Sequence, residues 1–263
     1  MKIIKNLGIF LLVIYFLICI GLYISQDKIF FTPQKLSESY TFRAGEEIEI
    51  PVAPAISLNC LWLKESNSKG VILYLHGNRG SNRRCLRQAQ TMAGNQYDIF
   101  MPDYRGYGKS DGEIQSEAQL YEDVQKVYDF LKEKYRENQI VIVGYSLGSG
   151  MASWLAANNN PKRLFLVAPY ISFIDLKERY TMFLPNFLVK YPLNNKEHLE
   201  AVRCPVTLFH GTSDELIPFD SSVQLAKINS SRINLVKLEG VGHRGAIFNG
   251  LFRSTVRKLL REN

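Results

Sequence analysis

The feature that most constrains the fold is a short run in the middle of the chain, Ile140 to Gly150. It begins with four apolar, mostly β-branched residues, which are typical of a buried strand. Gly144, Ser146 and Gly148 then follow with the spacing G-x-S-x-G. Where a strand leads through this pentad into a helix, the turn is sharp and presents the serine hydroxyl at the carboxyl end of the strand. The run therefore predicts a strand, a strained turn at Ser146 and a helix.

Segments typical of strands and of helices alternate along the rest of the chain. Continuous apolar runs favour buried parallel strands, and the segments between them have helical spacing. Two earlier stretches, 46–51 and 56–63, alternate in the way of antiparallel edge strands. For a chain of 263 residues, this pattern predicts one α/β domain with a doubly wound, mostly parallel sheet. The other predicted strands are 71–75, 97–101, 140–143, 164–167, 206–209 and 233–238, and the predicted helices are 84–93, 117–135, the segment from the pentad to 157, 221–228 and 246–260.

An uncharged, apolar run of 18 residues lies near the N-terminus, from Leu7 to Ile24. This is just long enough to cross a bilayer as a helix. Lys2 and Lys5 precede it, so the positive-inside rule places the N-terminus in the cytoplasm and the rest of the chain on the outer (periplasmic or extracellular) side. A cleaved signal peptide is the alternative, but the run is long for one and no small-x-small cleavage site follows. We therefore predict a single-pass membrane anchor over residues 1–26, a linker over 27–45 and a domain over 46–263.

The charge distribution argues against a nucleic-acid partner. The formal net charge is +7, but the Lys and Arg residues are scattered and form no cluster interleaved with aromatic residues. A basic surface of this kind is either simply solvated or attracted to an anionic membrane.

The four cysteines predict neither a disulfide framework nor a metal site. Cys19 lies in the apolar N-terminal run. Cys60, Cys85 and Cys204 are spread over the domain, without a C-x-x-C pair or metal-ligand spacing. One disulfide could form in an oxidising compartment. Small buried side chains are the favoured interpretation, and no metal is predicted.

A serine at such a turn acts as a nucleophile only where a base can take its proton. The chain has four histidines. His243 follows the last predicted strand in a glycine-containing loop, so its imidazole can swing back over the sheet, and it is the predicted base. His76 lies in a glycine-rich turn, His198 lies outside the predicted strands, and His210 ends a strand, where a structural role is favoured.

The base needs an acid that orients it, at the end of an earlier strand. Asp214 lies a few residues past the predicted strand 206–209 and is the predicted acid. Asp175 is the alternative, because some folds of this type take the acid from the strand after the serine. Glu215 and Asp220 are further alternatives, although carboxylates at such positions more often cap helices.

The negative charge that develops on an attacked carbonyl oxygen needs two fixed hydrogen-bond donors. The backbone N–H of Leu147, directly after the serine, is one predicted donor. The second should come from the turn after the strand 71–75, where the N–H of Asn78 is the natural candidate. We predict these two amides as the oxyanion hole.

An insertion of about 35 residues, 169–203, interrupts the alternation of strands and helices. It is apolar and aromatic between Tyr180 and Pro192 but contains no long periodic helix. Its position predicts a small lid that partly covers the serine, and a surface excursion is the alternative.

Four stretches together resemble the α/β-hydrolase superfamily over roughly residues 46–262. They are His76 to Asn82, Asp103 to Ser110, the pentad 144–148, and Asp214 with His243. The combination is most similar to the small-lid branch that includes membrane-anchored acyl hydrolases, protein depalmitoylases and enzymes described as serine aminopeptidases. This resemblance implies a triad of Ser146, Asp214 and His243 and no cofactor. Arg79 departs from the small residues that are more usual in this turn, and a charge there could alter the preferred leaving group.

The motifs predict a serine hydrolase that cleaves carboxylic esters or thioesters, with acyl or lipid-like substrates expected from the anchor and the apolar insertion. A peptidase or amidase of the same mechanism is the alternative. An aminopeptidase would need an acidic group for the substrate amine, and Glu178 is the one candidate in the insertion. A non-catalytic binding protein on the same scaffold is the third possibility.

Overall fold

An eight-stranded sheet lies at the centre of the computed structural model, which describes residues 2–181 and 183–262 and only the main chain of Tyr180. The strand order is β1-β2-β4-β3-β5-β6-β7-β8. β1 and β2 run antiparallel to their neighbours, and every pair from β4 to β8 is parallel. The predicted mostly parallel sheet is therefore confirmed. The strands are β1 Glu46–Ala53, β2 Ile56–Leu63, β3 Val71–Leu75, β4 Asp98–Pro102, β5 Ile140–Tyr145, β6 Arg163–Val167, β7 Val206–Gly211 and β8 Ile233–Leu238.

Helices cover both faces of the sheet, as a doubly wound fold requires. Apolar side chains of α3, α4, α6 and α7 pack on one face, and those of α2 and α8 pack on the other. Alternate side chains of β5 are buried on opposite faces of the sheet. Ile140 and Ile142 pack on the first face, and Val141 and Val143 pack on the second. The helices are α1 Lys2–Phe30, α2 Asn82–Ala89, α3 Glu117–Lys132, α4 Gly148–Asn158, α5 Phe173–Tyr180, α6 Asn195–Ala201, α7 Phe219–Ala226 and α8 Gly250–Arg261.

Several predicted element boundaries were wrong by a few residues. The helix predicted over 84–93 is α2 followed by a 3₁₀ turn at Gln90–Met92. The helix predicted from 246 begins instead as a 3₁₀ segment, His243–Phe248, and α8 starts anew at Gly250. The reason is a local cap, because the Asn249 side chain accepts a hydrogen bond from the N–H of Leu251. Two further 3₁₀ segments are Glu137–Gln139 and Asn186–Leu188.

The turn after β5 has the strained geometry that the pentad predicts. Ser146 has a φ of 52°, in the left-handed region that side chains rarely adopt. The close approach of β3 explains the second glycine, because a Cβ on Gly148 would lie 2.1 Å from the carbonyl oxygen of Leu75. A Cβ on Gly144 would lie 2.6 Å from the Cβ of Ala152 in the following helix. Only glycine fits at these two positions, so the turn is fixed by its neighbours.

α1 carries the apolar N-terminal run and ends against the insertion. By length and composition it is the one helix in the described chain that could cross a membrane, and an 18-residue window within it has a mean hydropathy of 2.8. Its last turns are held by polar contacts: Gln26 donates to the carbonyl of Leu188 at 2.7 Å, and Asp27 accepts from the hydroxyl of Tyr191 at 2.6 Å. Lys190 reaches the same Asp27 carboxylate at 3.0 Å. Residues 27–30, within the predicted linker, therefore continue the helix.

The chain after α1 leads directly to the turn that follows β3. Thr32 and Pro33 pair in parallel with Arg79 and Gly80 in a second, two-stranded sheet. A further bridge joins Lys35 to Gly108. The segment after the apolar helix is thus packed beside the site residues for at least its first few positions.

Candidate active site

Three loops at the carboxyl edge of the sheet bring Ser146, His243 and Asp214 together. The Oγ of Ser146 lies 3.0 Å from Nε2 of His243, and Nδ1 of His243 lies 2.8 Å from Oδ2 of Asp214. The loops follow β5, β8 and β7, whose parallel carboxyl ends share one edge of the sheet. With a proton on Nδ1 donated to Asp214, Nε2 is free to accept the serine proton. The three side chains therefore form one hydrogen-bonded series, in the arrangement that a nucleophile, a general base and an orienting carboxylate require.

The Asp214 carboxylate is fixed on all sides and stays ionised. Its side chain is wholly buried, and Oδ1 accepts hydrogen bonds from the N–H groups of Leu216 and Ile217 at 2.9 and 2.8 Å. Burial raises the pKa of Asp214, but hydrogen bonds from His210, His243 and the Ile217 amide outweigh it, so the pKa lies below its usual value. The carboxylate can therefore orient His243 without taking its proton.

His210 supports this arrangement from behind, in agreement with the structural role favoured for it. Its ring is buried and lies 3.2 Å from Oδ2 of Asp214. Its two nitrogens also meet the hydroxyl of Ser222 at 2.7 Å and the carbonyl of Ile217 at 2.9 Å. His210 thus links the Asp214 loop to α7 and does not line the cavity that contains Ser146.

Glu215 contacts His243 through the main chain, a contact that the sequence did not predict. Its Oε2 accepts a hydrogen bond from the backbone N–H of His243 at 3.1 Å. A Cβ on Gly242 would lie 2.8 Å from the same oxygen, so this carboxylate lies close to the main chain directly before the histidine. The signal in the sequence is the neighbouring pair Asp214-Glu215, from which Glu215 is predicted only as an alternative orienting acid.

The two amides predicted as an oxyanion hole line the cavity that contains Ser146. In residues 2–181 and 183–262, neither the N–H of Asn78 nor that of Leu147 donates to a protein acceptor. The turn that carries Asn78 lies against the serine, because a Cβ on Gly77 would be 3.6 Å from the Cβ of Ser146. Both amides are therefore available to a negatively charged oxygen beside Ser146.

The loop 103–110 holds the Asn78 turn in place. The hydroxyl of Tyr107 donates to the carbonyl of Asn78, and that of Tyr104 donates to the carbonyl of His76, each at 2.8 Å. Nε2 of the buried His76 lies 3.3 Å from Oδ1 of Asp103. Burial raises the pKa of Asp103, although the His76 contact and the Asn82 amide oppose the shift. These contacts give His76 and the glycine-rich loop a supporting role behind the turn.

The alternative acids lie elsewhere. Asp175 accepts from Ser172 at the start of α5, where the Ser172 hydroxyl caps the Asp175 N–H at 3.0 Å. Asp220 bonds Gln224 within α7 at 2.7 Å, and the exposed Glu178 bonds Asn186 at 3.0 Å. None of the three lines the cavity around Ser146.

The cavity beside Ser146 has a volume of about 620 Å³. Part of its wall is apolar and is formed by the end of α1, by the insertion, by the loop after β7 and by the 3₁₀ segment after β8. The predicted lid segment therefore contributes to the wall, and so does α1. In the part of the chain that the structure describes, no three His, Cys, Asp or Glu side chains converge as metal ligands. The apolar wall consists of Ile29, Phe30, Tyr170, Phe173, Leu176, Leu216, Ile217 and Phe248.

His198 lies apart from the site, on α6, where its Nδ1 is 2.9 Å from the hydroxyl of Ser153. Burial lowers its pKa to about 4. An unfolded chain has a histidine pKa of about 6.5, so between these values the unfolded state binds more protons than the folded state. The contribution of His198 to the free energy of unfolding is therefore complete above about pH 6.5, and it is lost as the pH falls towards about 4.

We expect protonation of His198 to lower the free energy of unfolding by about 2 to 3 kcal/mol as the pH falls from about 7 to about 4. Urea unfolding at the two ends of that range measures the effect, and the substitution His198→Gln should remove it while leaving an acceptor for Ser153. An unchanged pH dependence in the variant would contradict the assignment.

Known proteins are similar to this chain in sequence. Residues 66–196 match the family described as serine aminopeptidase, S33. The lysophosphatidylserine lipase ABHD12 of Xenopus tropicalis is 29% identical over 191 residues, which cover 64% of this chain and 49% of the relative. The chain thus spans about half the length of that lipase. The α/β hydrolase domain-containing protein 17B of the same organism is 26% identical over 225 residues, covering 77% of this chain and 70% of the relative.

Solved structures share the fold. The Pyrococcus furiosus esterase Pf2001 matches with a TM-score of 0.71 at 19% identity, covering 88% of this chain and 97% of the esterase. Est1E from Butyrivibrio proteoclasticus, with ferulic acid bound, matches with a TM-score of 0.67 at 19% identity, covering 81% and 97% of the two chains. The chain belongs to the α/β-hydrolase superfamily, as its four motif stretches predict.

Proposed function

We propose that this protein is a serine hydrolase that cleaves carboxylic esters or thioesters of acyl or lipid-like substrates. The observation that carries the proposal is the continuous hydrogen-bonded series from Ser146 through His243 to Asp214, which opens into a cavity with an apolar wall. The lipase and esterase names of its relatives and structural neighbours support ester chemistry.

The proposed reaction proceeds through an acyl-enzyme. Ser146 attacks the substrate carbonyl while His243 takes its proton, and Asp214 stabilises the imidazolium that forms. The amides of Asn78 and Leu147 hold the oxyanion, and losing one such donor typically raises the barrier by about 3 kcal/mol. His243 then protonates the leaving group. A water, activated by the same histidine, releases the acid.

The lining of the cavity favours an ester over a peptide substrate with a free amine. An aminopeptidase needs a carboxylate near the substrate ammonium group, and no Asp or Glu of the described chain lines the cavity. Glu178, the one candidate in the insertion, is exposed and bonds Asn186 instead. The family description keeps the peptidase as the second candidate, and a non-catalytic binding protein is the third.

We propose that α1 is retained as a membrane anchor, with the N-terminus in the cytoplasm and the hydrolase domain outside. Retention is supported by the contacts of Gln26 and Asp27 with the insertion and by the place of Ile29 and Phe30 in the cavity wall. Orientation is tested by adding protease to intact cells, which should digest the domain. Full protection would place the domain inside.

The function is tested with the purified full-length protein in detergent, offered an ester, a thioester and an amide of the same acyl group. We expect hydrolysis of the ester or thioester and little of the amide. Preferred cleavage of the amide, or of amino-terminal peptide bonds, would establish the peptidase alternative. Absence of any hydrolysis by folded protein would favour the binding protein.

Phe30 should set the affinity for the acyl chain. Its ring lies 4.7 Å from that of Phe173, across the boundary between α1 and the insertion. We expect Phe30→Ala to raise KM for a long-chain ester by roughly tenfold, with a smaller effect on a short-chain ester, because the lost apolar contact is worth about 1 to 2 kcal/mol. The control is Phe187→Ala, since Phe187 is exposed and does not line the cavity. Equal effects on both chain lengths would place the acyl group elsewhere.

A further inference from the structure

Four arginines line the same cavity as Ser146, and no acidic side chain of the described residues lines it with them. All four are exposed, and none makes an ion pair or a side-chain hydrogen bond within residues 2–181 and 183–262. Unpaired like charges in one cavity repel each other, so their grouping favours an anion that fills the space between them. The arginine cluster consists of Arg79, Arg84, Arg87 and Arg244.

The arginine cluster is attached to the same short segments as the site residues. Arg79 directly follows Asn78, and Arg244 directly follows His243. Arg84 lies on α2, where its stem packs over Gly80: a Cβ there would be 2.9 Å from Cδ of Arg84. Arg87 lies three residues further on, hence on the same side of that helix.

The electrostatic effect of the arginine cluster reaches the residue before the serine. Burial raises the pKa of Tyr145, and the positive charges of Arg244 and Arg84 oppose that shift. Tyr145 also donates its hydroxyl to the carbonyl of His243 at 3.2 Å. Arg244 and Arg84 are therefore close enough to act on the residue that directly precedes Ser146.

The cavity is thus amphipathic. Most of its apolar residues come from α1, from the insertion and from the loop after β7, and Phe248 comes from the 3₁₀ segment that begins at His243. Its arginines come from the turn after β3, from α2 and from the residue after His243. An acyl chain fits the first group, and a compact anion fits the second. One guanidinium group can donate two parallel N–H groups to two oxygens of a phosphate. Arginines are therefore well suited to bind a phosphate group.

We propose that the arginine cluster binds a phosphate group on the alcohol side of the substrate, so that the enzyme prefers acyl esters whose leaving group carries a phosphate. This proposal rests on the proposed ester hydrolysis. It assigns a binding role to Arg79, the residue that departs from the usual small residues of this turn.

The test compares two esters that differ only in the phosphate: a monoacylglycerol and the corresponding acylglycerol phosphate, each diluted in neutral detergent micelles. We expect kcat/KM for the phosphate ester to exceed that for the neutral ester by about tenfold or more at low salt. The ratio should fall as the salt concentration rises, because the arginines are exposed. Equal rates for the two esters would overturn the proposal while leaving the hydrolase function intact.

Arginine substitutions locate the effect. We expect Arg79→Gln or Arg244→Gln to lower the ratio of the two kcat/KM values by about threefold to fivefold each, as expected for exposed charge pairs. The control is Arg83→Gln, which changes the neighbouring α2 arginine that lies over the ring of Tyr40 and does not line the cavity. A ratio that falls equally in the control would show a general effect of net charge.

A third measurement does not require turnover. An alkyl phosphate and the alkanol of the same length are compared as protectors of Ser146 against a fluorophosphonate label, with inorganic phosphate as a separate arm. We expect the alkyl phosphate to protect at a concentration at least tenfold lower than the alkanol. Equal protection by the two would overturn the proposal. Protection by inorganic phosphate as strong as by the alkyl phosphate would also overturn it, since the site would then bind free phosphate rather than a substrate group.

Discussion

Replacing Ser146 with alanine should lower kcat for any ester substrate by about 10⁴-fold or more, because the acyl-enzyme can no longer form. The Ser146 hydroxyl oxygen lies 3.0 Å from Nε2 of His243. Steady-state hydrolysis of the preferred ester measures the loss. The melting temperature should change little, since Ser146 is only half-buried and its side chain makes no other hydrogen bond with the residues that the structure describes.

The matched control is Ser213→Ala. Ser213 is an exposed serine beside Asp214 and does not line the cavity, so activity should be retained. If the Ser146→Ala protein kept its activity, the nucleophile would be another group or a water, and the proposed mechanism would be wrong.

Asp214→Asn should lower kcat by about 10⁴-fold while leaving the fold intact. The asparagine side chain can turn its NH₂ group towards Nδ1 of His243 and so favour the imidazole tautomer that carries its proton on Nε2. That tautomer cannot take the proton of Ser146. Because the pKa of Asp214 lies below its usual value, the wild-type carboxylate stays ionised throughout the neutral range, and the loss should persist at every pH tested there.

Two further variants decide between the candidate acids. Asp175→Asn removes the alternative acid in the insertion, and Asp220→Asn removes a surface carboxylate of α7. We expect both to keep most of the activity. Loss of activity in Asp175→Asn together with retention in Asp214→Asn would move the orienting role to Asp175.

The order of strands and helices could be predicted because its signals are local. Buried parallel strands are continuous apolar runs, and the pentad around Ser146 combines a left-handed backbone with two positions where a Cβ would collide. The loops that bear Asp214 and His243 follow parallel strands, so topology alone brings them to the same edge as Ser146. These constraints do not depend on distant side chains.

Features that arise from contacts between distant parts of the chain could not be predicted. The last turns of α1 depend on Leu188, Lys190 and Tyr191, more than 150 residues away in sequence. A hydropathy pattern does not report such contacts. The sequence therefore predicts that the anchor ends at 26, whereas α1 ends at Phe30. The grouping of four arginines around one cavity is likewise a product of tertiary structure. In the sequence, only Arg79 stood out.

The most direct test of the central claim is fluorophosphonate labelling of the full-length protein in detergent, followed by mass spectrometry of the labelled peptide. The account predicts that the label is on Ser146, that it disappears in Ser146→Ala and that it slows strongly in Asp214→Asn. A folded protein that stays unlabelled, or one that is labelled at a different serine, would contradict an activated nucleophile at the turn after β5.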